Sequence, residues 1–272
     1  MSARTKVGVV QMTSTADVEA NLGAVERLVG LAVEDGAALV VVPECFAYLG
    51  PEDGKLAIAE PLPAGGPILE RCRALARAHE VELVLGGFWE KGTTAAKVKN
   101  ACVHVGRGGE VRAVYRKIHL FDVDLPDGTV LRESDTVEPG SEVVVTETAF
   151  GTLGLSVCYD LRFPELYRAL VDRGAIALAI PAAFTLTTGK DHWHVLLRAR
   201  AIEAQSYVLA AAQTGHHYAR RHSYGHALIC DPWGTVLAEC GEGEGVAVAS
   251  IEPERVARVR SALPSLMHRR LR

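Results

Sequence analysis

Short apolar runs alternate along this chain with stretches whose apolar residues recur every three or four positions, and the alternation occurs twice. Residues 7–12 read as a strand. Val18, Leu22, Val25, Val29 and Ala32 then mark one face of a helix that Asp35-Gly36 closes. The strand-like run Ala38-Leu39-Val40-Val41-Val42-Pro43 leads to Glu44. A loop rich in Pro and Gly, 60–67, precedes a second helix with Ile68, Cys72, Leu75 and His79 on one side. Strands are expected over 83–89 and 101–105, and Arg107-Gly108-Gly109-Glu110 turns a hairpin into 111–116. In the second half, strands flank Phe150-Gly151-Thr152, and a helix follows Cys158 as far as Asp172. Residues 175–180 read as a buried strand, 191–205 as a helix and 207–213 as a strand. A hairpin over 226–239 turns at Asp231-Pro232-Trp233-Gly234. Each sheet must cover one face with helices, and the two remaining faces must pack together. The expected fold class is α/β, a four-layer α-β-β-α sandwich. No linker or short-period repeat interrupts it, so 1–272 reads as one domain, with 253–272 a C-terminal tail available to pack on a partner subunit.

Cys158 ends the apolar run Gly154-Leu155-Ser156-Val157 and opens Tyr159-Asp160-Leu161-Arg162-Phe163-Pro164-Glu165-Leu166. That is a strand, a tight turn and a helix with Pro164 in its first turn. N–H groups at a helix start stabilise a thiolate. Glu44 follows one strand and Lys117 ends another, Val111-Arg112-Ala113-Val114-Tyr115-Arg116. Strand ends are where α/β sites collect polar groups. Taken singly, each has a plainer reading: a core cysteine, a loop glutamate, a surface lysine. Taken together, Glu44, Lys117 and Cys158 in these contexts resemble the nitrilase superfamily of carbon–nitrogen hydrolases.

Longer words carry the same resemblance over nearly the whole chain. They include Phe121-Asp122-Val123-Asp124, the segment from Cys158 to Leu166, Phe184-Thr185-Leu186-Thr187-Thr188-Gly189, His192-Trp193, Leu197-Arg198-Ala199-Arg200-Ala201-Ile202-Glu203 and Asp231-Pro232-Trp233-Gly234. Within the superfamily they are most similar to the branch containing deaminated glutathione amidase and omega-amidase. Ala210-Ala211-Ala212-Gln213 with Ser223-Tyr224-Gly225-His226 resembles the former more closely. Asp127-Gly128-Thr129-Val130-Leu131 departs from the branch pattern.

The chemistry follows from the residue types. A thiol needs a base beside it to become a good nucleophile. Glu44 serves if a low-dielectric site raises its pKa, and it can then pass the proton to the departing nitrogen. Lys117 and the backbone N–H of Tyr159 are placed to stabilise the oxyanion. The product is a thioester that water hydrolyses, with release of ammonia or an amine. A Cys–His pair is the competing arrangement, but no local protease signature surrounds Cys158. The resemblance also implies that Glu133, in Arg132-Glu133-Ser134-Asp135, reaches the site and orients Lys117 and the substrate amide; an exposed loop glutamate is the alternative. The branch implies small ω-amides bearing an α-keto carboxylate. A guanidinium suits that carboxylate, and Arg162, four residues after Cys158, is the best placed; an ion pair with Glu165 is the alternative. The resemblance adds contacts from Phe184 and Thr188. Arg220, Arg221 and His222 are further candidates for the far carboxylate of a longer substrate. Omega-amidase, carbamoyl-amine hydrolase and a non-catalytic binding protein remain the other readings.

Bulk numbers narrow the partners. Lys+Arg total 29 against 33 Asp+Glu, a net charge of −4, which disfavours nucleic acid. The N-terminal apolar segment stops at Thr13, too short for a signal peptide, and 174–184 contains Pro181 and does not span a bilayer. Six cysteines without a Cys-x-x-Cys pair suit reduced thiols in a cytoplasmic protein. His192 and His194 are two apart, and His222 and His226 sit where Gly225 argues against a helix, so neither pair suggests a metal. The expectation is no metal, no cofactor, no membrane and no nucleic acid, with a small-molecule amide as partner. Apolar residues in excess on the helix after Cys158 and on 191–205, with the family likeness, imply a homodimer or higher homo-oligomer. The tail residues Val256, Val259, Leu263 and Leu266 either cross to the partner or fold back.

Overall fold

The computed structural model describes residues 4–124, 128 and 130–271. The first half contains β1 (Thr5–Met12), α1 (Val18–Glu34), β2 (Leu39–Val42), α2 (Glu52–Ile58), α3 (Pro67–His79), β3 (Glu82–Lys91), β4 (Val98–Val105) and β5 (Val111–Arg116). A short hairpin of β6 (Asp122–Asp124) and β7 (Val130–Arg132) follows. The second half contains β8 (Val145–Thr148), β9 (Gly151–Leu155), α4 (Pro164–Asp172), β10 (Ala177–Ala179), α5 (Leu186–Ala204), β11 (Tyr207–Ala210) and β12 (Ala212–Tyr218). It closes with β13 (Arg221–Tyr224), β14 (Leu228–Cys230), β15 (Val236–Glu239), β16 (Gly245–Ile251) and α6 (Pro253–Ala262).

One sheet runs β13-β12-β1-β2-β3-β4-β5, with β16 also paired to β1; the other runs β15-β14-β11-β10-β9-β8. Period-two alternation assigns each side chain to a layer. Val10, Met12, Val40 and Val42 pack under α1 and α3 with Leu22, Val25, Leu69 and Cys72. Val7, Val9, Leu39 and Val41 face the other way, into a core shared with Leu153 and Leu155 of the second sheet and with Leu170 of α4 and Leu197 of α5. The layers are therefore α-β-β-α, as the two rounds of alternation require. Among the described residues no helix is long and apolar enough to cross a membrane.

Several local expectations change. The run over 207–213 is two strands. β11 pairs with β10 and β14 in the second sheet, and β12 pairs with β1 in the first, so the chain crosses between sheets at Ala211. Continuous apolarity hides the crossing because both halves are buried. Helix α5 starts at Leu186 rather than Asp191. Gly189 sits inside it because a Cβ there would lie 2.3 Å from the Cβ of Tyr224. A glycine that resembles a helix breaker is a packing requirement. His79 is exposed, and Leu69 and Ala76 complete the buried face of α3. Helix α2 lacks a strong apolar period, and the long loop over 118–140 contains the β6–β7 hairpin and a 3-10 turn at Glu133–Asp135. Of the departing segment 127–131, Asp127 and Thr129 lie outside the described residues. Helix α6 packs on its own chain through Val256 and Val259, and Arg260 Nη2 donates to the carbonyl of Ala175 at 2.8 Å. Beyond it Met267 and Leu271 are exposed.

Candidate active site

Three strands deliver three side chains to one end of the molecule. Glu44 follows β2, Lys117 follows β5 and Cys158 follows β9. Strand β5 is two antiparallel steps from β3, so it points the same way as the parallel β1, β2 and β3. The expected convergence is met. Lys117 Nζ donates to Glu44 Oε1 at 3.0 Å, and Glu44, Lys117 and Cys158 line the same cavity, with the Glu44 carboxylate acting directly on the Cys158 thiol. All three are buried: Glu44 is 4 %, Lys117 2 % and Cys158 7 % exposed.

Further donors fix the carboxylate of Glu44. Asn100 Nδ2 donates to Oε1 at 2.9 Å and the backbone N–H of Ala183 to Oε2 at 2.9 Å. Glu133 joins the group: it accepts from Lys117 Nζ at 3.0 and 2.8 Å, from Asn100 Nδ2 at 3.1 Å and from the N–H of Phe121 at 2.7 Å. Its oxygens are thus engaged in holding Lys117 and the loop after β5. The turn beneath Glu44 depends on Gly87, whose φ is +61° and where a Cβ would lie 2.3 Å from the backbone nitrogen of Cys45.

Cys158 has φ +48°, a region few non-glycine residues adopt. Asp160 holds this conformation. It is fully buried and its Oδ2 accepts from the N–H of Val157 at 2.9 Å and from Tyr115 Oη at 2.6 Å. Its Oδ1 accepts from the N–H of His119 at 3.1 Å and lies 2.7 Å from His119 Nδ1. Tyr115 and His119 flank Lys117 by two residues on either side, so one carboxylate ties the nucleophile turn to the lysine loop. The N–H of Tyr159 belongs to the start of the 3-10 turn Cys158–Arg162, where N–H groups have no partner within the turn.

The family model for carbon–nitrogen hydrolases matches residues 6–261. Over 264 residues the chain is 49% identical to deaminated glutathione amidase of Synechocystis sp., covering 96% of each sequence. The solved structure of the Caenorhabditis elegans NitFhit protein superposes with a TM-score of 0.92 at 42% identity, covering 99% of this chain and 66% of that one. Saccharomyces cerevisiae Nit3, a member of branch 10 of the nitrilase superfamily, superposes with a TM-score of 0.87 at 32% identity, covering 98% and 97%. The chain belongs to the carbon–nitrogen hydrolase family. It is a hydrolase of carbon–nitrogen bonds other than peptide bonds, acting on a small-molecule amide.

Two electrostatic expectations reverse in this hydrolase. Burial alone would raise Glu44, but the charge of Lys117 and hydrogen bonds from Cys158, Lys117 and Asn100 outweigh it and hold the carboxyl below its ordinary value. Helix-start N–H groups do not make Cys158 acidic. Burial, then the charge of Glu44, push the thiol well above its usual range. Burial also opposes the charge on Lys117, but Glu133 and Glu44 overcome it and hold the ammonium firmly protonated. The resting pair is therefore thiol and carboxylate, with the proton on sulfur.

The remaining candidates divide between two spaces beside Cys158. Arg162, Tyr159, Phe184 and Thr188 line a recess of about 10 Å³, with the Arg162 guanidinium 5.3 Å from the Phe184 ring. Arg162 does not pair with Glu165; its Nη1 lies 3.3 Å from His192 Nδ1. On the other side, a cavity of about 490 Å³ reaches from Cys158 past Trp89 to Arg132 and Tyr218. Arg221 lines it, whereas Arg220 and His222 are exposed. His194 and His226, dismissed by spacing within one element, come together from α5 and the approach to β14 on Glu239 Oε1, at 2.8 and 2.7 Å. Asn100 and Asp160 received no role from the sequence. The available signals were a polar residue directly before an apolar strand and a carboxylate two positions after the nucleophile.

Proposed function

We propose that this hydrolase cleaves the ω-amide of an α-keto dicarboxylate, in the manner of deaminated glutathione, through a thioester on Cys158. The observation that carries the reading is the single buried network joining Cys158, Glu44 and Lys117. As Sγ bonds to the amide carbon, its proton moves to Glu44. Lys117 and the N–H of Tyr159 stabilise the oxyanion, roughly 2.7–4 kcal/mol for one well-placed donor. Glu44 gives the proton to the leaving nitrogen, the C–N bond breaks and the amine departs. Water then attacks the thioester, Glu44 takes its proton, the C–S bond breaks and the sulfur is reprotonated. Glu133 acts as a positioning residue through Lys117, and Arg162 with Phe184 and Thr188 receives the keto-carboxylate end of the substrate, for which their recess, with room for about one water, must widen on binding.

The test is a substrate panel in which loss of each substrate and formation of its own hydrolysis products are followed by chromatography: deaminated glutathione, 2-oxoglutaramate, simple aliphatic amides, a carbamoyl amine and nitriles. Deaminated glutathione is expected to lead, then 2-oxoglutaramate, with the neutral compounds far behind. Preference for nitriles overturns the substrate reading, and preference for 2-oxoglutaramate or a carbamoyl amine assigns a sister activity. Arg162→Lys should cost both keto-amides roughly ten- to a hundred-fold in kcat/KM, the worth of a charged hydrogen bond.

Residues 1–272 act as one domain in this reading. Six free thiols suit a reducing cytoplasm. A homodimer is supported by α5, where Val195 is 68% and Ile202 49% exposed, next to Trp233 at 54%; α4 leaves no such residue outward. Leu263 and the tail after it extend the apolar surface. Light scattering that shows only monomer at micromolar concentration overturns the assembly.

A further inference from the structure

Four cations line the large cavity: Lys55, Lys117, Arg132 and Arg221. Three are paired with carboxylates. Lys55 meets Glu52, Lys117 meets Glu44 and Glu133, and Arg132 meets Asp124. Arg221 is paired with none among the described residues. Its Nη2 donates to the carbonyl of Ala183 at 3.0 Å, and its Nη1 is buried with no hydrogen-bond partner among the described residues. A buried guanidinium N–H left unmatched is costly, so such a group is retained where a ligand completes it.

The position of Arg221 says which part of a ligand it meets. The tight hairpin between β12 and β13 turns at Ala219, with φ +47°, and places Arg221 at the cavity wall. Ala183, whose carbonyl it holds, donates its own N–H to Glu44, the base that meets Cys158. Arg221 is thus two hydrogen bonds from the catalytic carboxylate, on the roomy side of Cys158. Arg162, which also has no acid partner among the described residues, lies on the narrow side of Cys158. A cavity of about 490 Å³ falls in the usual range for small-ligand sites.

We infer that Arg221 binds the terminal carboxylate of the leaving amine, and that the large cavity is a leaving-group site for a short peptide with a free C-terminus. The inference rests on the amidase reading above. In deaminated glutathione the leaving amine is cysteinylglycine. Two extended residues span at most about 7 Å, so its carboxylate stays close to the reacting carbon and within the cavity. The guanidinium offers that carboxylate paired N–H donors. The two guanidiniums then match the two carboxylates of such a substrate, one on each side of the scissile bond.

The experiment compares three substrates that share one acyl group: deaminated glutathione, its C-terminal carboxamide, and 2-oxoglutaramate, whose leaving group is ammonia. In the wild-type protein the carboxamide should fall roughly ten- to a hundred-fold below deaminated glutathione in kcat/KM, mostly through KM. This comparison needs no variant. In Arg221→Met the ratio of deaminated glutathione to 2-oxoglutaramate should fall by the same factor, and Arg221→Lys should restore part of it. Equal wild-type rates on the acid and the carboxamide overturn the inference. So does an Arg221→Met loss that is the same on all three substrates, which would assign Arg221 to support of Ala183 and Glu44. A wild-type protein that cleaves none of the three keto-amides refutes the amidase reading itself, and the inference with it.

Discussion

Cys45 and Cys158 are near twins. Each follows a strand of a central sheet by three residues, each is buried, and each has a left-handed backbone, φ +61° and +48°. Both border the large cavity. In both, burial and then the charge of Glu44 push the thiol well above its ordinary value. What separates them is the reach of Glu44: it acts on Cys45 through its charge alone, but on the Cys158 thiol through a direct side-chain interaction as well. Acidity therefore does not select the nucleophile here. The selection comes from contact with a base that can take the proton as the sulfur attacks.

The largest effect is expected from Cys158→Ala, which should reduce kcat at least about 10⁴-fold with the fold intact by circular dichroism. Appreciable turnover in that variant would break the comparison at once. Lys117→Met comes next. On the proposed mechanism it removes an oxyanion donor, a loss of roughly 10²–10³ in kcat. It also leaves Glu44, buried, and Glu133, partly buried, without their cation, so thermal unfolding should show a destabilisation of roughly 3–5 kcal/mol. Unchanged stability would mean that the two carboxylates are not held by Lys117.

Acidity gives a smaller effect that separates chemistry from stability. Burial and the charge of Glu44 push both thiols well above the ordinary thiol range, and against burial the charge of Lys117 holds Glu44 below the ordinary carboxylate range, so kcat/KM should be flat between about pH 7 and 9. The acid loss should follow unfolding instead. Burial holds His104 and His217 neutral in the folded chain, pulled down from 6.5 to about 4. Below pH 6.5 the unfolded chain binds protons that the folded chain refuses. Stability is thus fully present above 6.5 and falls as pH drops toward 4, by up to roughly 3 kcal/mol for each histidine. Denaturant titrations at pH 7.5 and 5 measure the difference; equal midpoints contradict it. The smallest effect belongs to Cys45→Ala, which should change kcat/KM by less than about three-fold. A large loss there would show that the two cysteines share the chemistry.

The sandwich was legible from local signals, and the three strand-end residues from those signals together with the family resemblance of the words around them. Period-two runs, one helical stripe and the stop of each run can all be read in short windows. What stayed hidden depends on contacts across the fold. The crossing at Ala211 is invisible because both β11 and β12 are buried. The charge balance at Glu44 depends on Lys117, which lies 73 residues away. Asp160 sits in the most readable word of the chain, yet its role comes from Tyr115 and His119, which reach it from the other sheet. Arg221 was one of three adjacent candidates, and only the hairpin geometry separates it from Arg220 and His222.

The most direct test of the account is peptide mass mapping after acid quench of the wild-type protein turning over 2-oxoglutaramate. The account predicts a 2-oxoglutaryl adduct on the peptide containing Cys158 and none on the peptide containing Cys45. An adduct on Cys45, or on any residue other than Cys158, contradicts it.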